Sequence, residues 1–429
     1  MHITKSSDKI TPFGGLDFCL ESFHTCGLAG LIDRHLGPRG QTAGFSYSDI
    51  VANLMSVLFT GGDCAEDLAE HLREPLHRTR GLSPCSPDTL LRGVKQLACD
   101  SRQLTHPTSG VNHTFNINEP LNELLVKALR TTGQLSNRRC YTLDYDNKVI
   151  ETEKWDAVRT YKKCTGYQPG VASIEGMPVS IEGRSGNSQA SFAQHETLDR
   201  LFERLNAHDV SIGRFRADSA SYQQDVVDLV QPHTNQFYIR AKRSAEMLRQ
   251  IAAIDQDDWR SVKLNWQPMD VAELADWRPF DGQTSYRLIV SRIKRDDQQG
   301  DLFSESAYTY RAILTNDRES SPEEIVAFYN KRGASERVFD IMGNDFSWSR
   351  LPCSFLSQNT AFMILTAIIA NFYRYILSLY SKRIPWLKVT YRLKKFIFRF
   401  ISVPAKWIRS GRQNILKLYT GKGYELLLE

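Results

Sequence analysis

The chain has 429 residues, more than one ordinary domain needs, and 41% of them are hydrophobic, which excludes a disordered or fibrous protein and suggests two or three packed domains. Its net charge is only +5, yet the stretch between Asp345 and Glu425 holds 14 Lys and Arg and no acid, leaving −9 for everything else. A one-sign block of this kind is the electrostatic footprint of a polyanion partner, most often nucleic acid.

The eight cysteines contain no CxxC pair and the ten histidines show no zinc-site spacing. They read as reduced thiols of a cytoplasmic protein. The N-terminal MHITKSSDKITPFGG has no apolar core of a signal peptide, and the most apolar run, Ala361 to Tyr373, is interrupted at Asn371 and followed by Arg374. That run is too short to span a bilayer, so no membrane partner is expected.

Residues 1–135 read as a helical, DNA-binding N-terminal domain. Ser48 is the expected cap of a helix with Ile50, Val51, Leu54, Val57 and Leu58 at helical spacing, stopped by Gly61-Gly62. Ser86-Pro87-Asp88 starts a second helix with Leu90, Leu91, Val94 and Leu97 on one stripe. Arg80, Arg92 and Lys95 lie on or near its polar face, where they suit phosphate contacts and equally an ordinary charged surface.

From Cys140 the pattern changes to strands alternating with helices, which argues for an α/β core over residues 136–380. Tyr141 to Ile150 alternates, Gly170 to Glu182 is a second β-like run with a turn at Gly183 to Asn187, and a helix carries Leu198, Leu201, Phe202 and Leu205. A short strand Arg214 to Asp218, a helix near Gln223 to Val230 and a strand Phe237 to Ala241 follow. Residues 244 to about 310, with Trp259, Trp266 and Trp277 and β-type runs at Ser285 to Ile293 and Tyr308 to Leu314, read as a mainly β insertion. Ser321-Pro322-Glu323-Glu324 is a helix start, and Leu356 to Leu379 is a long apolar helix. In the basic segment 381–429, Trp386, Tyr391, Phe396, Phe398, Phe400 and Trp407 interleave with the charges, which favours a folded nucleic-acid-facing helical segment over a solvated tail. A membrane-surface amphipathic helix over 382–417 is the competing reading.

Three places offer carboxylates suited to chemistry. Asp144 and Asp146 in TLDYD project from one strand face, which is costly without a cation or partner. Asp218 ends the strand of RFRADSASY, at the carboxyl edge where α/β sheets place ligands, though a helix cap explains it equally. Tyr329, Arg332 and Glu336 are spaced i, i+3, i+7 within one arc of an expected continuous helix, among Ile325, Phe328 and Phe339, so the trio is expected on a buried face. Carboxylates converging from two strands and a helix suit a pair of Mg²⁺ ions, about 3.5–4 Å apart, for in-line phosphodiester displacement.

With these residues in hand, the chain resembles bacterial insertion-sequence transposases of the DDE superfamily, in the group whose third acid lies in a Y-x2-R-x3-E signature, here Tyr329, Arg332 and Glu336 in YNKRGASERVFD. ITPFGGLDF, FTGGDCAED, YTLDYDN, RFRADSASY, YRAILTND and NDFSWSRLP extend the resemblance over nearly the whole chain. It implies an RNase H-like (retroviral integrase-like) α/β core with catalytic, metal-binding Asp146, Asp218 and Glu336, and with Asp144 as the alternative to Asp146. It further implies two Mg²⁺ ions, replaceable by Mn²⁺, and cut-and-paste action on the inverted-repeat ends of a double-stranded DNA element by a homodimer at the nucleoid. The expected DNA contacts are Tyr329, Arg332, Lys388, Arg392, Lys394, Lys395, Arg399, Trp266 and Trp277, with Tyr329 and Arg332 reading as phosphate contacts or as residues that orient a carboxylate. The related signature continues with a Lys where this chain has Gly343, so Arg337 or Arg350 stands in for that contact. Two other readings remain at this point: a nuclease of the same fold that never joins strands, and a non-catalytic DNA-binding repressor.

Overall fold

The computed structural model describes residues 1–4, 7–40, 43–264, 266–280, 282–294 and 308–428. The N-terminal part begins with six helices: α1 (Gly14–Thr25), α2 (Leu28–Leu36), α3 (Tyr47–Thr60), α4 (Asp67–Glu70), α5 (Arg73–His77) and α6 (Pro87–Lys95). The cap of α3 is Ser46, in a capping box with Asp49, and not the expected Ser48, whose hydroxyl is taken by Asp33 at 2.7 Å. Gly61 ends α3 with φ +92°, a conformation that suits glycine, and Ser86 caps α6, both as the sequence suggests. This part is not wholly helical, because a hairpin of β1 (Arg102–Thr105) and β2 (Asn112–Asn116) precedes α7 (Glu119–Thr131).

A mixed α/β region follows, with β3 (Tyr141–Asn147), β4 (Ile150–Glu151), β5 (Val158–Arg159), β6 (Thr165–Tyr167), β7 (Gly170–Ile174) and β8 (Met177–Arg184). The run Gly170 to Glu182 is thus two strands, because Glu175-Gly176, both with positive φ, turn the chain into a tight hairpin. Next come α8 (Gln194–Ala207), β9 (Ile212–Ala217), α9 (Gln224–His233), β10 (Gln236–Arg240) and α10 (Ala245–Ala252). The strands β11 (Arg260–Leu264), β12 (Gln267–Trp277), β13 (Tyr286–Lys294) and β14 (Tyr308–Thr315) do not stand apart as a separate layer. They continue one 11-stranded sheet in the order β1-β2-β8-β7-β3-β9-β10-β14-β13-β12-β11, parallel only at β3–β9 and β9–β10. Residues 295–307 of the expected β insertion lie outside the described residues.

The chain closes with α11 (Pro322–Asn330), α12 (Gly333–Asp345), α13 (Leu356–Ser381), α14 (Leu393–Phe396) and the hairpin β15 (Ala405–Ser410) and β16 (Gln413–Leu418). The basic segment is therefore only partly helical. Its Phe396 and Phe400 are core residues, packed with α1, α3 and α13 in one apolar cluster that runs from Leu16 to Tyr424. Among the described residues α13 is the one helix long and apolar enough to cross a membrane, longer than the apolar run suggested, but 78% of its most apolar window is buried inside the protein. Burial against α7 and β8 makes it a core helix.

One sheet face is covered by α8 and α9 over Leu143, Tyr145, Phe215 and Ala217. On the other face α13 covers the β7–β8 side and α11 covers β10, β14 and β13. Alternation along β3 and β9 sends Asp144, Asp146, Arg216 and Asp218 to that second face, between the two helices.

Candidate active site

Register places these side chains. In the parallel β3–β9 pair Asp144 lies beside Arg216 and Tyr145 beside Ala217, so the next residues, Asp146 and Asp218, leave the two strands together at their carboxyl ends. Arg216 donates Nε and Nη2 to the two carboxylate oxygens of Asp144 at 2.7 and 2.8 Å, and Nη1 to the Phe328 carbonyl of α11 at 2.7 Å. Asp144 is 2% exposed, and burial lifts its pKa while Arg216 opposes the rise. That fork and its burial make Asp144 a tie between sheet and helix, while Asp146 is the less buried carboxylate of the strand.

Asp146 is half-buried. Burial raises its pKa first, Arg332 draws it down, and the neighbouring charge of Asp218 pushes it up again. Its Oδ1 accepts the Asn147 N–H at 2.9 Å and its Oδ2 accepts Arg332 Nη1 at 3.0 Å. Asp218 caps a short turn by accepting the Ala220 N–H at 2.9 Å and stays half-buried.

The expected continuous helix through Tyr329, Arg332 and Glu336 is interrupted. At Lys331–Arg332 the backbone tightens, with the Arg332 N–H bonding the Tyr329 carbonyl at 2.8 Å, and α12 restarts at Gly333. Tyr329 is buried and its hydroxyl donates to the Ala217 carbonyl at 3.1 Å, directly behind Asp218. That contact ties α11 to the carboxyl end of β9. Glu336 sits exposed in the first turn of α12 and not on a buried face, because the interruption breaks the arc it was assigned from. Among the described residues the carboxylates of Asp146, Asp218 and Glu336 do not gather within 4.8 Å of one another; the set that does is Asp63, Cys64 and Asp67, on the surface.

The paired carboxylates offer only oxygen donors, face each other with like charge and are half-shielded from water. That donor chemistry fits a hard divalent cation such as Mg²⁺.

The remaining expected contacts divide by environment. Trp266 is 88% exposed at the β11–β12 turn with Lys263 Nζ 5.2 Å from its ring centre, whereas Trp277 is 5% exposed and donates its indole N–H to Tyr222 at 3.1 Å. Trp277 is a core residue and has no face for a base, and Trp259 is likewise buried, under Arg292. Lys388, Lys394, Lys395 and Arg399 are exposed. Arg392 is not a free phosphate contact, since Asp345 takes its Nε at 2.7 Å and Asp340 its Nη1 at 2.6 Å. Of the two substitutes for the missing Lys at Gly343, Arg337 is exposed, and Arg350 is paired with Asp63. Sequence reasoning passed over Arg216, although Arg214, Arg216 and Asp218 alternate on one face just as Asp144 and Asp146 do.

A family model described as transposase DDE domain group 1 matches residues 6–429, nearly the whole chain. No curated protein matches. Among solved structures, the cryo-EM structure of a piggyBac transposase synaptic complex with hairpin DNA is similar over 90% of this chain and 78% of that one, at 12% identity and a TM-score of 0.47. On the match that spans both strand-end aspartates and the Tyr329–Glu336 signature, the chain belongs to the DDE transposase family, domain group 1.

Proposed function

We propose that this transposase cuts the phosphodiesters at the two ends of its own insertion element and joins the freed 3′-hydroxyls to target DNA. The observation that carries this reading is the side-by-side exit of Asp146 and Asp218 from adjacent parallel strands. The local order β8-β7-β3-β9-β10, antiparallel on one side of β3 and parallel on the other, supports an RNase H-like core.

In this reading Asp146, Asp218 and Glu336 hold two Mg²⁺ ions, with Mn²⁺ as a substitute. When bound, such ions activate the attacking oxygen and stabilise the leaving one. Arg216 fixes the strand pair through Asp144, Tyr329 braces the Asp218 end through the Ala217 carbonyl, and Arg332 orients Asp146. Glu336 joins the two aspartates from the first turn of α12 when metal and DNA are bound. Lys388, Lys394, Lys395, Arg399 and Trp266 contact DNA, the N-terminal helices contribute to end binding, and two protomers pair the two ends in the cytoplasm, on the nucleoid.

The test is to incubate purified protein with duplexes carrying the element's inverted repeats, a supercoiled target plasmid and Mg²⁺ or Mn²⁺. Joined end-to-plasmid products are expected. Nicks without joining would point to a nuclease, and binding without cleavage to a repressor.

A further inference from the structure

The chain between β3 and β7 makes a small three-stranded sheet of β4, β6 and β5, beginning just past Asn147 and so beside Asp146. Two aromatic side chains stand out from it into solvent, Trp155 at 86% and Tyr161 at 70% exposure. Aromatic surface of that size is normally buried, because burial of a large ring is strongly favourable. Slack in the backbone does not explain the exposure. The Trp155 N–H is held by the Ser354 carbonyl at 3.0 Å, and the next residue, Asp156, accepts the Leu356 N–H at the start of α13 at 3.0 and 2.9 Å. Thr160 closes the turn that displays Tyr161 by bonding the Cys164 carbonyl through its N–H at 2.8 Å and its hydroxyl at 2.9 Å.

Cations share the module with the two rings: Lys154, Arg159, Lys162 and Lys163 belong to it, and Lys162 Nζ lies 5.9 Å from the Tyr161 ring centre. Of the nearby acids, Asp156 is turned inward to α13 and Tyr167, Glu151 and Glu153 are exposed on the module, Asp63 and Glu66 line a recess with Lys154, and Asp340 is within electrostatic reach of Lys148. Lys148, at the root of the module, places Nζ 5.6 Å from the ring centre of Phe339 on α12, the helix that carries Glu336. Lys148, Phe339, Gly343 and Ser349 line a recess of about 380 Å³ there. Lys148 thus stands two residues past Asp146, and four further cations share the module with the two exposed rings.

We infer that this module is the platform for the DNA strand that leads away from the cut phosphodiester, with Trp155 and Tyr161 stacking on its unpaired bases and the neighbouring lysines taking its phosphates. The inference rests on the transposase reading and extends it to residues outside the DNA contacts that the sequence suggests. Paired bases already stack within the duplex, so the rings favour bases freed by strand separation, while the cations attract the backbone whatever its sequence.

The test uses the full-length protein and two end duplexes that differ only beyond the cleavage position, one fully paired and one with a few unpaired nucleotides carrying 2-aminopurine. The wild type should bind the unpaired flank more tightly and quench its fluorescence. Trp155→Ala and Tyr161→Ala should each lose about tenfold in affinity for the unpaired flank and leave the paired one unchanged, with Trp155→Phe restoring most of the quenching. Preference and quenching intact in both alanine variants would overturn the inference while leaving the transposase reading standing. So would a change of oligomeric state in Trp155→Ala with unchanged DNA binding, which would make the platform a protein contact. A wild-type protein that binds neither duplex would overturn both.

Discussion

Two carboxylates on the same face of β3 meet different partners: Asp144 is forked by Arg216 and Asp146 accepts from Arg332. Removing the base from a buried ion pair leaves an uncompensated charge, so Arg216→Met should destabilise the fold by about 3–5 kcal/mol in urea unfolding. The double variant with Asp144→Leu should recover most of that loss, and failure to recover would mean that Arg216 acts through another contact. Asp17 offers a second residue-scale test. Burial raises its pKa to about 6, against the hydrogen bonds it accepts from the Arg80 N–H and the Trp407 indole. A folded pKa above the unfolded value means the proton is bound more tightly in the native state. The stabilising contribution is full below about pH 4 and is lost as pH rises through about 6, roughly 3 kcal/mol in all. Asp17→Asn should flatten that fall, read as urea midpoints at pH 4.5 and pH 8. At this scale the acids were legible because charge inside an apolar strand is conspicuous. The burial of Trp277 was not, since exposure depends on neighbours that arrive from distant positions such as Tyr222.

Helix starts were legible where the signal is local. Ser86 and Ser321 cap as read, because a hydroxyl, a following Pro and an acid in the first turn act within four residues. Ser48 lost its role to Ser46 because Asp33, far away in sequence, takes its hydroxyl. The break between α11 and α12 escaped a purely periodic reading, although Gly333, a poor helix former, follows it directly. The GG of the N-terminal motif acquires its reason only from packing: a Cβ on Gly15 would lie 2.1 Å from the Phe400 carbonyl oxygen, and one on Gly14 2.5 Å from the Ala405 Cβ. Gly15→Ala should therefore push α1 off the C-terminal segment and cost about 1–3 kcal/mol, seen as a lowered Tm. An unchanged Tm would show that this contact contributes nothing to stability.

Across the whole molecule, one apolar cluster joins the first helices, α13 and the C-terminal segment, so the chain's two ends share a core. The basic block was legible as charge but not as free charge. Arg392 is spent on Asp340 and Asp345, and Lys406 pairs with Asp8, acids that lie outside the block in sequence. Lys394→Ala and Lys395→Ala should each reduce the salt slope of DNA binding by about 1 in log–log form, equally for end and random DNA. Arg392→Ala should leave the slope almost unchanged and lower stability instead. The central claim, that Glu336 joins Asp146 and Asp218 in metal-dependent strand cleavage, is tested most directly by one comparison. Cleavage of inverted-repeat DNA in Mg²⁺ is measured for the wild type and Glu336→Gln, both folded and equal in DNA affinity. The account predicts a loss of at least about 100-fold in the variant, the scale on which removing one transition-state contact acts. Cleavage by Glu336→Gln at the wild-type rate would contradict it.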